Sequence, residues 1–200
     1  MSNNTKVVVI DSSPLFFLGL NIILKNHHKN IELTKLFKGK IELYNHAASH
    51  QVDMVIMNFN HEDNPFKTIR DIIDIKRIMP EVKIFIYTGE ENSILIKLLF
   101  DFGVNAIVSR KESPSKLTEF ISYALKGEFV YSQSYIDSLI KANIKKLTDR
   151  ELDVLVEVHN GLTLTHISRM FHKSIKTISN NKRNAMKKLG INSNIELLFI

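Results

Sequence analysis

The first part of the chain alternates short β-branched apolar runs with longer stretches in which apolar residues recur at helical spacing. Such alternation is typical of repeated βα units built around a parallel sheet. Five runs are predicted to be strands, at residues 6–10, 31–37, 53–57, 82–87 and 105–109. No such run follows Gly127, so the β-pattern is predicted to end there.

Amphipathic stretches between and after the strands predict five helices, at residues 14–26, 40–50, 64–79, 93–102 and 114–126. The last of them has Ser113 and Pro114 at its start, which is a favourable N-cap followed by proline in the first turn. Five βα units in succession predict an α/β domain with a doubly wound, flavodoxin-like sheet over residues 1–127. The functional groove of such a sheet lies beyond the carboxyl ends of its strands.

The remaining residues predict a connector over 128–146, with one short helix near 135–142, and an all-α domain over 147–200. A T-x-x-E capping box, Thr148 and Glu151, opens the first of four helices, which ends near Gly161. A short helix is predicted at 164–171, a longer one at 175–189 and a last one from about 193. A short helix, a brief turn and a longer helix form a helix-turn-helix.

Composition excludes several classes of protein. The chain has 44% hydrophobic residues, no Cys and few Gly or Pro, which favours a compact core and excludes disulfide or thiolate sites. No apolar run approaches the roughly 18 residues that a membrane span needs, and Asp11 interrupts the N-terminal VVVI run. We therefore expect a cytoplasmic protein with no membrane partner.

Charge is segregated along the chain. Residues 1–140 carry 16 Lys and Arg against 16 Asp and Glu, whereas residues 141–200 carry 11 against 5 and hold the whole excess of +6. Between Thr165 and Gly190 there are seven basic residues and no acidic one. This distribution is typical of a surface that binds a polyanion, although a solvated basic face would have the same composition.

A helical projection of residues 175–189 separates two faces. One is predicted to be buried and holds Ile175, Ile178, Ala185, Met186 and Leu189. The other is polar and basic and holds Lys176, Ser179, Asn180, Arg183 and Lys187. Lys182 falls in the apolar arc, so its stem must run along the core with its charge directed outward. Short polar and long basic side chains on one face suit contacts with base edges and phosphates of double-stranded DNA.

The C-terminal motifs resemble those of the LuxR/NarL (FixJ) family. The similar segments are LTDRELDVL, HISRMFHKSIKTISNNKRNAMKKLG and NSNIELL, and the middle one is especially similar to the Rcs capsule-regulator branch. The resemblance implies that Thr177 holds a phosphate, that Ser179, Asn180 and Arg183 face base edges, and that Lys176, Lys182 and Lys187 flank the DNA backbone. Ser168 and Asn181 depart from the usual Ala and His, so the base preference does not carry over.

The family usually places a response-regulator receiver in front of this domain, and residues 1–127 are similar to one. A receiver needs an aspartate nucleophile after the third strand, acidic residues for Mg²⁺, a switch Thr or Ser and a Lys. Aligned by strand ends, this sequence retains one acidic residue, Asp11, and a switch residue, Thr88. It has Ser12 in place of the second acidic residue, Asn58 in place of the nucleophile and Arg110 in place of the Lys. An amide at position 58 has no anionic oxygen to attack phosphorus. We interpret the domain as a pseudo-receiver, without catalysis, cofactor or metal.

Other carboxylates are poorly placed to substitute for the missing aspartate. Asp53 lies at the opposite end of the third strand, and Glu62 and Asp63 could reach the groove only by rearrangement.

The sequence predicts a non-enzymatic transcriptional regulator that acts without aspartyl phosphorylation, as a homodimer or as a partner of a related LuxR-type regulator. Leu95, Leu98, Leu99 and Phe102 exceed what one buried stripe needs and are candidates for a partner surface, although all four can equally be core. Two other functions stay open, a receiver gated by a small ligand and a protein that sequesters a related regulator.

Overall fold

A computed structural model describes residues 4–28, 30–59, 64–142 and 144–200; Glu62 and Asp63 lie outside these ranges. The described residues contain a parallel sheet of six strands in the order β2-β1-β3-β4-β5-β6. The strands are β1 (Thr5–Ile10), β2 (Ile31–Phe37), β3 (Met54–Phe59), β4 (Lys83–Thr88), β5 (Ala106–Ser109) and β6 (Val130–Tyr131). All five predicted strands are present, and their carboxyl ends lie along one edge of the sheet.

The sixth strand corrects the prediction that β-structure ends at Gly127. Val130 pairs with Ala106, and Tyr131 pairs with Ile107, which extends the sheet beyond β5. Two residues are too few for an alternating pattern, so this strand depends on backbone hydrogen bonds that the sequence does not signal. It joins the start of the connector to the first domain.

Five helices cover the sheet: α1 (Pro14–His27), α2 (Lys40–Ala47), α3 (Pro65–Ile78), α4 (Ser93–Asp101) and α5 (Pro114–Leu125). Three of them begin alike, because Ser13, Asn64 and Ser113 cap the free N–H groups of the first turn and are each followed by proline. The predicted end of α2 at residue 50 is wrong. Beyond Ala47 the chain tightens into a turn in which Ser49 N–H donates to the His46 carbonyl at 3.2 Å.

The central strands are buried on both faces, and alternate residues enter two apolar clusters. On one face Val8, Val55 and Ile84 pack with α3 and α4, whereas on the other Val9 and Ile56 pack with α1 and α5. This double cover explains why the central strands are almost continuously hydrophobic. It leaves the carboxyl edge of the sheet for the groove.

The C-terminal region is entirely helical after the connector helix α6 (Gln133–Lys141). Its helices are α7 (Asp149–His159), α8 (Leu164–Met170), α9 (Ile175–Leu189) and α10 (Asn194–Leu198). Thr148 and Glu151 form the predicted capping box at α7. The chain turns between α8 and α9 with His172 in a left-handed conformation at φ 52°. None of the described helices is long and apolar enough to cross a membrane.

Helix α3 packs against α7 and joins the two halves of the molecule. The Asn64 side-chain amide donates to the Val156 carbonyl at 2.9 Å and to Asn160 Oδ1 at 2.8 Å. Arg70 lies between α3 and α7, with its Nε 3.3 Å from Asp153 Oδ1. Apolar residues of both halves belong to one continuous cluster. This contact uses α7 and leaves the outer face of α9 uncovered.

Candidate nucleic-acid interface

Helix α9 has a defined start and stop. Ser174 Oγ accepts a hydrogen bond from Thr177 N–H at 3.1 Å, and Gly190 ends the helix in a left-handed conformation at φ 73°. Fifteen residues at about 1.5 Å each give a rod about 22 Å long, which is a suitable element for a DNA major groove.

The inner face of α9 is formed by Ile178, Ala185 and Leu189, each at most 1% exposed. Met186 is half-buried, as a residue at the edge of the stripe should be. The prediction that Ile175 is buried is wrong, because 50% of it is exposed. The apolar cluster at that end of the helix consists of Val154, Ile167 and Ile178, so the core contact is made one turn after Ile175.

The outer face of α9 is open to solvent. Its centre is a row of exposed side chains at intervals of four, three and four residues, namely Lys176, Asn180, Arg183 and Lys187. This spacing keeps them on one side of a helix. Ser179 lies at the edge of the row and is half-buried. The outer face therefore combines an amide and three cationic groups in one line.

Two of the predicted DNA-binding residues have partners within the protein. Lys182 is half-buried, and its Nζ donates to Asn194 Oδ1 at 2.7 Å, which links α9 to α10. Thr177 is exposed, and its hydroxyl lies 2.9 Å from Ser174 Oγ. Both stand beside the central row rather than in it.

A buried ion pair that sequence reasoning missed holds α9 against α7. Glu151 is 5% exposed, and its carboxylate accepts from Lys188 Nζ at 2.6 Å and from the backbone and hydroxyl of Thr148. Burial alone raises the pKa of the Glu151 carboxyl, but the hydrogen bonds from Lys188 and Thr148 outweigh it, so the pKa is lowered. The capping box signalled the Thr148 contact, whereas no local pattern pairs positions 37 residues apart.

The predicted phosphorylation groove lies at the carboxyl edge of the sheet. Asp11, Ser12 and Asn58 line the same cleft, and Arg110 donates a hydrogen bond from its guanidinium to Asn58 Oδ1. Thr88 is fully buried; its hydroxyl donates to the Phe59 carbonyl at 2.6 Å and accepts from Glu90 N–H. The structure thus brings four of the five residues together, while the Thr88 hydroxyl is bonded to backbone.

The residues of this groove do not fit the Mg²⁺ ion that a receiver implies. Mg²⁺ needs several oxygen ligands, and carboxylates are the strongest of them. Within the described ranges no group of three His, Asp or Glu side chains could hold a metal ion. The Asn58 oxygen, the natural second ligand beside Asp11, accepts from a guanidinium, whose positive charge would repel a metal ion.

The structure resolves which apolar helix faces are free. Leu95, Leu98 and Leu99 of α4 are all fully buried, so they are core residues rather than a partner surface. Phe102, just after α4, is half-buried and packs against the same cluster. On α4, Phe100 is the only exposed large apolar side chain among the described residues, at 40%. Groups of three exposed apolar residues lie on α1, namely Leu15, Leu18 and Ile22, and in and just after α10, namely Ile195, Leu198 and Phe199. The α1 sequence PLFFLGLNIIL has more apolar residues than one stripe needs, so the argument applied to α4 would have identified α1 as well.

A receiver-like α/β domain followed by a helix-turn-helix with an open basic face defines the class of protein as a DNA-binding transcriptional regulator. Residues 145–200 match the family model of bacterial regulatory proteins, luxR family, and form a LuxR-type helix-turn-helix domain. The chain is also homologous to response regulators. It is 26% identical to the transcriptional regulatory protein RcsB of Escherichia coli (strain K12), over 98% of this chain and 93% of RcsB.

Other relatives support the same assignment over the full length. ComA of Bacillus subtilis (strain 168) is 26% identical, over 98% of this chain and 96% of ComA. A structure of two RcsB dimers bound to two parallel DNAs matches with a TM-score of 0.65 at 27% identity, over 98% and 97% of the two chains. RcsB of Salmonella enterica serovar Typhimurium, bound to promoter rprA in the presence of the phosphomimetic BeF₃⁻, matches with a TM-score of 0.71 at 26% identity, over 98% and 97%.

Proposed function

We propose that this protein binds a specific DNA sequence through the outer face of α9, without aspartyl phosphorylation, as a homodimer or together with a related regulator. The observation that carries the proposal is the uncovered row of Lys176, Asn180, Arg183 and Lys187. Its support from relatives is that RcsB has been solved on DNA. The proposed domain limits keep the predicted division into 1–127, 128–146 and 147–200, except that Val130–Tyr131 at the start of the connector pair with the sheet of the first domain.

The side chains of the row have different tasks. Arg183 and Asn180 can each form two hydrogen bonds to a base edge, in geometries that suit guanine and adenine respectively. Lys176 and Lys187 are point charges and contact backbone phosphates, as do Lys182 and the Thr177 hydroxyl at the edge of the row, and Ser179 completes the base contacts. Base identity is thus determined by the middle of the row and affinity by its ends.

Replacing Lys187 by alanine is expected to weaken binding to all DNA sequences alike. A lost phosphate contact releases fewer counterions, so the slope of log K against log salt should become less steep by about one unit. Fluorescence anisotropy on the preferred duplex and on an unrelated one, each at several salt concentrations, measures the slope and the dependence on sequence. Lys126→Ala, which removes an exposed lysine from the first domain, is the control with the same change of charge. A sequence-dependent loss would contradict the assigned role.

The groove supports phosphorylation-independent action. An amide at position 58 is no nucleophile, and its oxygen already accepts a hydrogen bond from Arg110. The switch hydroxyl of Thr88 is held by the Phe59 carbonyl and Glu90 N–H. Neither the Asn58 oxygen nor the Thr88 hydroxyl needs a phosphoryl partner to be satisfied.

Incubation with acetyl phosphate and Mg²⁺ is expected to leave the intact mass unchanged, because the groove lacks both the nucleophile and the metal ligands. Mass spectrometry of the whole protein under non-acidic conditions checks this. RcsB of Escherichia coli serves as a comparison under the same conditions. A gain of one acid-labile phosphate that survives Asn58→Ala would overturn the proposal.

Dimer formation is supported by the exposed apolar residues of α1. Leu15, Leu18 and Ile22 are 80%, 54% and 62% exposed and lie at helical spacing on one face. Such a stripe is costly to leave in water and is typical of a protein interface. The partner is a second copy or a related regulator that presents the same face. In the alternative function, a protein that only sequesters such a regulator would bind it through this stripe and would not use α9 to bind DNA.

Leu18→Glu is expected to weaken self-association at least about tenfold, since a charge would enter the apolar contact. Sedimentation velocity across a concentration series measures the change. Ser134→Glu, which adds the same charge at an exposed position of α6, should leave association unchanged. Equal effects of both variants would exclude α1 as the interface.

A further inference from the structure

The cleft at the carboxyl edge of the sheet has features that neither phosphorylation nor DNA binding explains. Its volume is about 480 Å³, which is within the range of small-molecule sites. Asn58 lines it from β3 and Asp11 from the residue after β1. Lys38 lines it from the loop after β2, Lys67 from α3, and Asn160 from the end of α7, where it is the C-cap. The cleft therefore lies between the two domains.

Asp11 is an unsatisfied group in the lining of this cleft. It is 7% exposed, and its Oδ1 accepts from Ser13 N–H at 2.5 Å. Its Oδ2 is buried and, among the described residues, has no hydrogen-bond donor. A buried carboxylate oxygen without a partner is destabilising, so a donor or a cation is expected there when the site is occupied.

An organic ammonium group suits Asp11 better than a metal ion does. A metal ion would need several further oxygen ligands, and Arg110 occupies the Asn58 oxygen. An ammonium group has three hydrogen-bond donors on one compact charge and is satisfied by the carboxylate with one or two neutral oxygens. Ser12, which also lines the cleft, supplies such an oxygen.

The lining of the cleft also carries positive charge. Lys38 and Lys67 are exposed and line the cleft, and no carboxylate of the described residues forms an ion pair with either. Asp71, the other carboxylate of the lining, is paired with Lys40 at 2.8 Å. Lys67 is in the first turn of α3, where the helix dipole also favours an anion. The lining thus combines an unpartnered carboxylate oxygen of Asp11 with two lysines that have no carboxylate partner among the described residues.

We propose that the cleft binds a small zwitterion, whose ammonium group pairs with Asp11 and whose anionic group lies against Lys38 and Lys67. The ligand class is an amino acid or an aminophosphate. The inference rests on the proposed loss of phosphorylation, since a phosphoryl group bound beside position 58 would occupy the same cleft.

Such a ligand would contact both domains. Asn160 lines the cleft and accepts a hydrogen bond from Asn64, which also bonds the Val156 carbonyl of α7. A ligand bound against Asn160 favours the arrangement in which α3 and α7 are docked, because it gains that contact only there. The thermal stability of the whole chain should therefore rise with ligand concentration.

Isothermal titration calorimetry and thermal unfolding of the full chain test the proposal with three zwitterions, phosphoethanolamine, L-aspartate and L-glutamate. Ethanolamine, inorganic phosphate and MgCl₂ probe each charge alone. We expect at least one zwitterion to bind at least about tenfold more tightly than any single-charge probe. Asp11→Asn should abolish most of that binding and raise the melting temperature of the ligand-free protein, since it removes an unpaired buried charge.

Lys67→Gln is a second variant. It should weaken binding of the zwitterion without changing the melting temperature of the ligand-free protein. Lys116→Gln, which removes an exposed lysine of α5, is its control and should change neither quantity. Binding of phosphate or Mg²⁺ as tightly as the best zwitterion overturns the proposal. So does the absence of binding by all three zwitterions at about 10 mM, or a lower melting temperature for Asp11→Asn. Acetyl phosphate labelling and DNA titration are separate measurements, so failure here is distinguishable from failure of the proposed function.

Discussion

Replacing Glu151 by alanine is expected to cost about 3–5 kcal/mol and to unfold the helix-turn-helix domain. The substitution removes a carboxylate that is 5% exposed and leaves the ammonium group of Lys188 without its partner. It also removes half of the capping box at the start of α7. Urea unfolding followed by circular dichroism measures the change in free energy.

The pair Glu91 and Lys111 provides a matched control. Its atoms are also 2.6 Å apart, but both side chains are at least 75% exposed, whereas those of Glu151 and Lys188 are 7% and 27% exposed. Glu91→Ala should therefore leave stability nearly unchanged, as is usual for exposed ion pairs. Similar losses for the two variants would show that burial does not determine the contribution of Glu151.

The same carboxylate gives stability a defined pH dependence. The pKa of Glu151 is lowered in the folded protein from its ordinary value of 4.5. Its contribution is present above the unfolded pKa and is lost as pH falls through the folded pKa. Glu151→Gln should accordingly be less sensitive to acid below about pH 4.5 than the native protein.

The second large effect is expected at Arg183. Arg183→Ala should cost about 1–3 kcal/mol of binding free energy on the preferred DNA sequence and much less on an unrelated duplex. Arg183→Lys keeps the charge but loses the planar pair of donors, so it should retain non-specific affinity and still lose the preference. Competition titrations with both duplexes measure the specific and the non-specific binding free energy. If Arg183→Lys kept the full preference for the specific duplex, a bidentate base contact by Arg183 would be excluded.

The helix-turn-helix could be predicted from sequence because its signals are local. Ser174 and Gly190 mark the ends of α9, and residues 178, 185 and 189 define its buried stripe within one segment. The position of the groove could be predicted in the same way, since strand ends place Asp11 and Asn58 along one edge of a parallel sheet. Local periodicity fails only at the first turn, where Ile175 is exposed.

Long-range contacts could not be predicted in the same way. The bond from Arg110 to Asn58 spans 52 positions, and that from Asn64 to Asn160 spans 96. Neither hydrogen bond can be recognised from the sequence around its residues, because polar residues near the ends of helices and strands are common in any protein. Strand β6 was missed for a related reason, since its partner is backbone. These contacts determine how the two domains meet, and hence which helix faces remain free.

The most direct test of the account is the DNA affinity of two triple variants of the full chain with equal change of charge. One replaces Lys176, Arg183 and Lys187 by alanine, and the other replaces Lys111, Lys116 and Lys126, three exposed lysines of the first domain that lie outside α1. On a duplex selected by the native protein, the first variant should lose specific binding at constant salt, and the second should bind nearly as the native protein does. Equal loss in both would show that net charge, and not the outer face of α9, is responsible for DNA binding.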